Sequence, residues 1–233
     1  PGDVDGDGLT DLLIGGPRQD SRGTDAGAAW LMRGPLSGET TLASATAVLV
    51  GGAAAHNAGN AVAAAGDVDG DGYNDLIVGA WHAKGGGNDS GEAYLVFGPV
   101  TGELILYNAT LRVVGEYAYD AAGTSVSGGG DLDGDGVADL IVGATGFGDD
   151  GDQSRGAAYV VSGPLSGTID LSDASARVAG SDRYDRVGTD VFANADLNGD
   201  GHADLLTSGY SWPDNDGIGG AFAFFGPLSG ELE

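Results

Sequence analysis

Apolar residues along this chain fall in short runs that recur on a fixed schedule. One run is Leu12-Leu13-Ile14, and it returns as Leu76-Ile77-Val78, Leu140-Ile141-Val142 and Leu205-Leu206. A second run spans 28–32, 93–97, 157–161 and 221–225, with an aromatic side chain at one place in each: Trp30, Tyr94, Tyr159 and Phe222. Each second run ends in Gly-Pro, at 34–35, 98–99, 163–164 and 226–227. A third run lies at 48–50, 111–114 and 177–179, and a fourth at 60–65, 124–127 and 189–193. No stretch keeps a 3.6-residue apolar period over a useful length, so the runs predict strands and not helices. The strands are largely continuous apolar triplets, which implies burial on both faces.

The reading is therefore all-β, with units of four short antiparallel strands at approximately 1–52, 53–116, 117–180 and 181–233. The first and last units are incomplete, giving 14 expected strands. Four-stranded units buried on both faces must stack on one another, radially as a β-propeller or linearly as a solenoid. Four strands per unit favours the propeller. The array would form an arc of a larger ring, close on itself, or self-associate to complete a ring, because bare sheet faces and edges invite aggregation.

Composition sharpens this picture. The 46 glycines fit many tight turns, since the three-residue period of collagen is absent and 41% of residues are apolar. Asp and Glu number 35 against 9 Lys and Arg, a net charge of −26. That excludes nucleic acid and anionic membranes as partners and suits a polyvalent cation. The chain has no cysteine, and no apolar run approaches the roughly 20 residues of a membrane span. Direct membrane insertion is not expected. A start at Pro1 suggests a mature or trimmed fragment.

Much of the acid sits in one nine-residue pattern that precedes each first run. Its copies are 3–11, 67–75, 131–139 and 196–204, spaced by 64, 64 and 65 residues. Position 1 is Asp3, Asp67, Asp131 or Asp196; position 3 is Asp5, Asp69, Asp133 or Asn198; position 5 is Asp7, Asp71, Asp135 or Asp200; position 9 is Asp11, Asp75, Asp139 or Asp204. Carboxylates at alternate positions of a tight loop converge, and Ca²⁺ takes six to eight oxygens. The carbonyl of position 7 (Leu9, Tyr73, Val137, His202) supplies another, and the position-9 carboxylate closes the shell, here expected through both oxygens. Glycine at position 6 permits the turn. About four Ca²⁺ per chain are expected, the last held more weakly because Asn198 carries no charge. Magnesium fits less well, since it demands strict octahedral geometry. Position 12 is not Glu and the flanks are strands, so these are not EF-hands. The competing reading, a solvated acidic turn, weakens with four copies in register.

Other chemistry is sparse. His56, His82 and His202 show no paired-ligand spacing, there is no nucleophile elbow or phosphate-binding loop, and the Asp pairs serve better as metal ligands than as a general acid and base. The chain is read as a non-enzyme. Asn88-Asp89-Ser90 and Asn108-Ala109-Thr110 match the glycosylation sequon.

The stretch Gly66-Asp67-Val68-Asp69-Gly70-Asp71-Gly72-Tyr73-Asn74-Asp75-Leu76-Ile77-Val78-Gly79-Ala80, and its counterpart at 130–144, resemble the FG-GAP repeat of the integrin α N-terminal propeller. The resemblance covers nearly the whole chain. It implies a propeller, usually of seven blades, with calcium in the loop between the first two strands of a blade. This chain departs in having four repeats and, in the fourth, Ala195 for the preceding glycine and Ser208 where Gly79 and Gly143 stand. A calcium loop in every repeat points to a bacterial or otherwise simple repeat protein. The resemblance also implies an extracellular or cell-surface adhesion or scaffold module whose partner is a protein or surface glycan. Two alternatives are the non-catalytic propeller of a larger secreted enzyme and a lectin-like carbohydrate binder. Antiparallel strands place the calcium loops and Gly-Pro turns on one rim and the long loops 17–25, 81–90, 145–155 and 210–218 on the other. Trp81, His82, Phe147, Tyr210 and Trp212 are the expected ligand-binding side chains there, with inward packing of Trp81 and Trp212 as the competing arrangement.

Overall fold

The computed structural model describes residues 2–148, 154–210 and 219–232. They form four sheets, mostly antiparallel, with only single turns of 3₁₀ helix. No helix among these residues is long and apolar enough to cross a membrane.

The first sheet contains β1 (Leu12–Gly16), β2 (Ala28–Met32) and β3 (Ala47–Val50). The second contains β4 (Val62–Gly66), β5 (Asp75–Ala80), β6 (Glu92–Val96) and, further along the chain after β7 (Gly102–Ile105), β8 (Leu111–Val114). The third repeats that order with β9 (Ala122–Gly130), β10 (Asp139–Ala144), β11 (Ala157–Val161) and, after β12 (Gly167–Asp170), β13 (Ala176–Ala179). The fourth has β14 (Val191–Phe192), β15 (Leu205–Gly209) and β16 (Gly220–Phe224), followed by β17 (Gly230–Leu232).

Three strands were not expected from the apolar pattern. β7, β12 and β17 pair in parallel with β3, β8 and β13, so each reaches back to the outer edge of the preceding sheet. Residues 230–232, expected to precede a missing strand, thus belong to the third sheet. The physical reason they escape a sequence reading is plain. Each is only three or four residues long, half polar, and paired across a whole intervening hairpin. Each begins with a glycine at positive φ: Gly102 at 74°, Gly167 at 74° and Gly230 at 71°.

The recurrent aromatics meet equivalent partners in each hairpin: Trp30 lies opposite Ile14, Tyr94 opposite Val78, Tyr159 opposite Val142, and Phe222 opposite Thr207. Alternate side chains of one strand serve two cores. Leu76, Val78 and Tyr94 pack with Leu13, Leu31 and Leu49 of the first sheet. Ile77 and Leu95 instead pack with Leu140, Val142 and Tyr159 of the third. Ile141 and Val160 continue the series against Leu205, with Phe222 and Phe224 alongside. Every residue of β5, β6, β10 and β11 is buried, which is why their apolar runs are unbroken. The outer sheets differ: Leu12, Phe192 and Phe225 are 42%, 49% and 54% exposed.

Stacking is close enough to require glycine. A Cβ on Gly79 would fall 2.1 Å from the Gly123 carbonyl oxygen, and one on Gly143 would fall 2.2 Å from that of Gly188. Ser208 stands at the equivalent place in β15, and its Oγ accepts the Asp190 N–H (3.2 Å). The strand leading into the fourth acidic loop is only Val191–Phe192, against nine residues in β9.

Candidate metal centres

The four acidic loops join β4 to β5, β9 to β10 and β14 to β15, and lead into β1. Each folds by the same internal hydrogen bonds. In the first, Asp3 Oδ1 accepts the Gly6 and Asp7 N–H groups (2.8 and 3.1 Å), and Oδ2 accepts Gly8 N–H (2.8 Å). Asp67, Asp131 and Asp196 each accept the equivalent glycine amides. The position-5 carboxylate accepts the amide of position 7: Asp7 from Leu9, Asp71 from Tyr73, Asp135 from Val137 and Asp200 from His202. Both loop glycines have positive φ, at 78° and 85° for Gly6 and Gly8, a region that L side chains enter at a cost.

Carboxylate oxygens converge as expected of a cation site. One oxygen each from Asp3, Asp5 and Asp11 lies within 4.8 Å of the others; the same holds for Asp67, Asp69 and Asp71 and for Asp131, Asp133 and Asp139. In the fourth loop Asn198 Nδ2 donates to Asp200 Oδ2 at 2.8 Å, while Asn198 Oδ1 accepts Asp200 N–H. The donor set is all hard oxygen, which fits Ca²⁺ better than a softer metal.

Position 9 does more than the sequence reading assigned to it. Asp75, fully buried, accepts Val68 N–H through Oδ2 and Gly98 N–H through Oδ1, both at 2.9 Å. Asp11 does the same with Val4 and Gly34, Asp139 with Leu132 and Gly163, and Asp204 with Leu197 and Gly226. Each carboxylate thus ties its own loop to the Gly-Pro turn on the same rim, and each of its oxygens already accepts one amide. The signal was available: Asp and the Gly of Gly-Pro stand 23, 23, 24 and 22 residues apart.

Burial pushes Asp75 and Asp139 up to about 6, the two amides offsetting part of the effect. At the exposed end of the loop Asp3 is lowered, mainly by the Gly8 amide, and Asp200 is lowered, mainly by the His202 amide. A fixed cluster of carboxylates with one member reluctant to ionise is an arrangement that a divalent cation relieves. The first loop has a basic side chain seated on it: Arg33 Nε lies 2.5 Å from Asp5 Oδ2.

The expected ligand-binding side chains are not gathered into one site. Trp81 is exposed, and its ring meets the adjacent His82 edge-on at 3.8 Å between centroids; His82 Nδ1 lies 3.3 Å from Asp89 Oδ1. Tyr210 is exposed beneath the Arg186 guanidinium. Phe147 is buried, contrary to expectation, because its ring stacks edge-on against Tyr159 (5.8 Å) and takes the Arg177 guanidinium at 4.8 Å. Trp212 lies outside the described residues. His56 is half-buried, which lowers its pKa, and is not paired with His82 or His202.

Comparison with known proteins agrees with this geometry. The FG-GAP repeat family matches residues 122–161, and the FG-GAP-like repeat family matches residues 3–78. Human integrin alpha-IIb is 35% identical over 151 residues, 62% of this chain. Integrin alpha pat-2 of Caenorhabditis elegans is 35% identical over 154 residues, and integrin alpha-5 of Xenopus laevis 33% over 153. The chain spans only 12 to 14% of the length of these relatives. By these matches, and by the acidic loops within them, residues 3–78 and 122–161 carry FG-GAP repeats, and about three fifths of the chain is similar to integrin α subunits.

Proposed function

We propose that this chain is a calcium-stabilised β-propeller region, its four sheets being blades, that serves as an extracellular adhesion or scaffold module for a protein or surface-glycan partner. The observation that carries the calcium reading is the repeated loop. In three copies three carboxylates come within 4.8 Å of one another, and in all four a position-9 carboxylate clamps the loop to the Gly-Pro turn. The holding groups would be the side chains at positions 1, 3, 5 and 9 and the carbonyls of Leu9, Tyr73, Val137 and His202. A bound cation would supply positive charge where these carboxylates converge, so binding to the folded state adds to its stability. Four such ions would cancel eight of the 26 net negative charges. The role proposed for the ion is structural, and the chain's role is binding and not catalysis.

The adhesion reading rests on similarity to integrin α chains, together with the exposed Trp81, beside half-buried His82, and exposed Tyr210 on the rim away from the acidic loops. The exposed apolar faces of the first and fourth sheets would take further blades or a second copy of the chain. The test is a panel of matrix proteins and glycans probed with calcium and with chelator. Calcium-dependent capture of at least one member is expected; uniform failure would refute the adhesion reading and leave a scaffold role.

A further inference from the structure

The acidic loops are not equally isolated from one another. Position 8 of the second loop reaches into the first: Asn74 N–H and Nδ2 both donate to the Asp3 carbonyl, at 3.2 and 3.0 Å. Position 7 covers the same loop, since a Cβ on Gly6 would lie 2.6 Å from Tyr73 Cε1. The third and fourth loops repeat the contact. Ala203 N–H donates to the Asp131 carbonyl at 3.0 Å, Leu228 N–H donates to that of Leu132 at 2.7 Å, and His202 Cε1 would stand 2.9 Å from a Cβ on Gly134. Between the second and third loops the contact is different. Among the described residues no hydrogen bond joins 67–75 to 131–139; Val137 does not cover Gly70, around which a Cβ would find open space, and a Cβ on Gly66, just before the second loop, would lie 2.8 Å from Gly129 Cα and 3.5 Å from Ala138 Cβ.

We propose that the loops take up calcium as two coupled pairs, 3–11 with 67–75 and 131–139 with 196–204, with no coupling across the middle. The inference rests on the calcium reading above and adds how the sites influence one another. In each pair the residue whose carbonyl would be a ligand (Tyr73 or His202) lies against a glycine of the other loop (Gly6 or Gly134), and the next residue (Asn74 or Ala203) holds the carbonyl of that loop's position-1 residue. Fixing 73–75 around a cation therefore also fixes Asp3, so part of the ordering cost of the first loop is met in advance. Tyr73, Asn74 and His202 are positioning residues in this scheme. The influence is reciprocal, as any coupling between binding equilibria must be.

Amide resonances read each loop separately. Gly8, Gly72, Gly136 and Gly201 each donate to the position-1 carboxylate of their own loop, so each reports its own site. Calcium is titrated into chelated, ¹⁵N-labelled protein and its variants. In Asp71→Ala, which disables the second loop, the half-saturation of Gly8 is expected to move to roughly five-fold higher calcium, while Gly136 and Gly201 keep theirs. Asp7→Ala should move Gly72 by the same factor, and Asp135→Ala should move Gly201 but not Gly72. Asn74→Ala, which removes the side-chain bond to Asp3 and no ligand, should move Gly8 in the same direction by less. An unmoved Gly8 in Asp71→Ala, or equal movement of Gly8 and Gly136, would overturn the pairing while leaving the calcium reading intact. Silence of all four amides toward calcium in the parent protein would overturn both.

Discussion

Replacing Asp75 by alanine separates the structural role of position 9 from its role as a ligand. The carboxylate is fully buried and accepts two amides, one of them from Val68, which is itself only 5% exposed. Removing it leaves both donors without a partner, and a buried donor so left costs about 1–3 kcal/mol. Against this stands the cost of holding the carboxylate ionised, about 3 kcal/mol at neutral pH for a pKa raised from 3.8 to about 6, a value that already includes the help of its two amides. With two donors left unpaired at about 2–6 kcal/mol in all, the balance is a loss of up to about 3 kcal/mol with no metal present, a large share of the about 5–15 kcal/mol of a typical domain. Asp71 is the control: it is exposed and accepts only Tyr73 N–H at 2.9 Å. Urea unfolding of both variants in chelator should show Asp75→Ala clearly destabilised and Asp71→Ala within about 1 kcal/mol of the parent. In saturating calcium both should fall below the parent, because each has lost a ligand. If the two variants unfold together in chelator, the clamp role of position 9 is wrong.

Other consequences concern charge. Asp75 and Asp139 have folded-state values raised above the unfolded 3.8, so in metal-free protein their contribution is complete below about pH 4 and is lost as pH rises through about 6. Melts in chelator should therefore occur at lower temperature at pH 7.5 than at pH 5, and calcium should reverse that order, since only the ionised carboxylates bind it; a pH-independent melt in chelator would contradict the burial argument. Arg33→Ala should raise calcium affinity at the first loop about three- to ten-fold, because it removes a cation seated on Asp5, and the Gly8 resonance would read it; a fall in affinity would mean that Arg33 shapes the site instead. Asp120 is buried, accepts Tyr117 N–H at 2.7 Å and is pushed up to about 7, mainly by that burial. Asp120→Asn keeps an acceptor and should stabilise the protein by about 1–3 kcal/mol at pH 8, by less than half of that at pH 5 and by little below pH 4, as chemical denaturation would show.

The repeat, its strands and its acidic loops were legible because each is local. Runs such as Leu76-Ile77-Val78 announce strands buried on both faces, and alternate carboxylates such as Asp67, Asp69 and Asp71 announce a converging loop. What escaped was non-local. β7, β12 and β17 are short, partly polar segments whose partners lie some 55 residues earlier, as in Gly102 beside Ala47, and edge pairing leaves no apolar period. Phe147 read as a loop aromatic free to meet a ligand, yet Tyr159 of β11 and Arg177 of β13 enclose it. The clamp by position 9 could have been found, since its distance to the Gly-Pro turn hardly varies between repeats. The pairing of loops through Asn74 and Ala203 could not, because nothing in a repeat's own sequence tells which carbonyl of its neighbour it will meet.

The central claim is that the four acidic loops bind calcium, and calorimetric titration of calcium into the chelated protein, with melts recorded before and after, tests it most directly. Saturation near four ions per chain with a large rise in melting temperature is the predicted result. No heat of binding and an unchanged melt would mean that the loops are solvated turns, and would contradict the account.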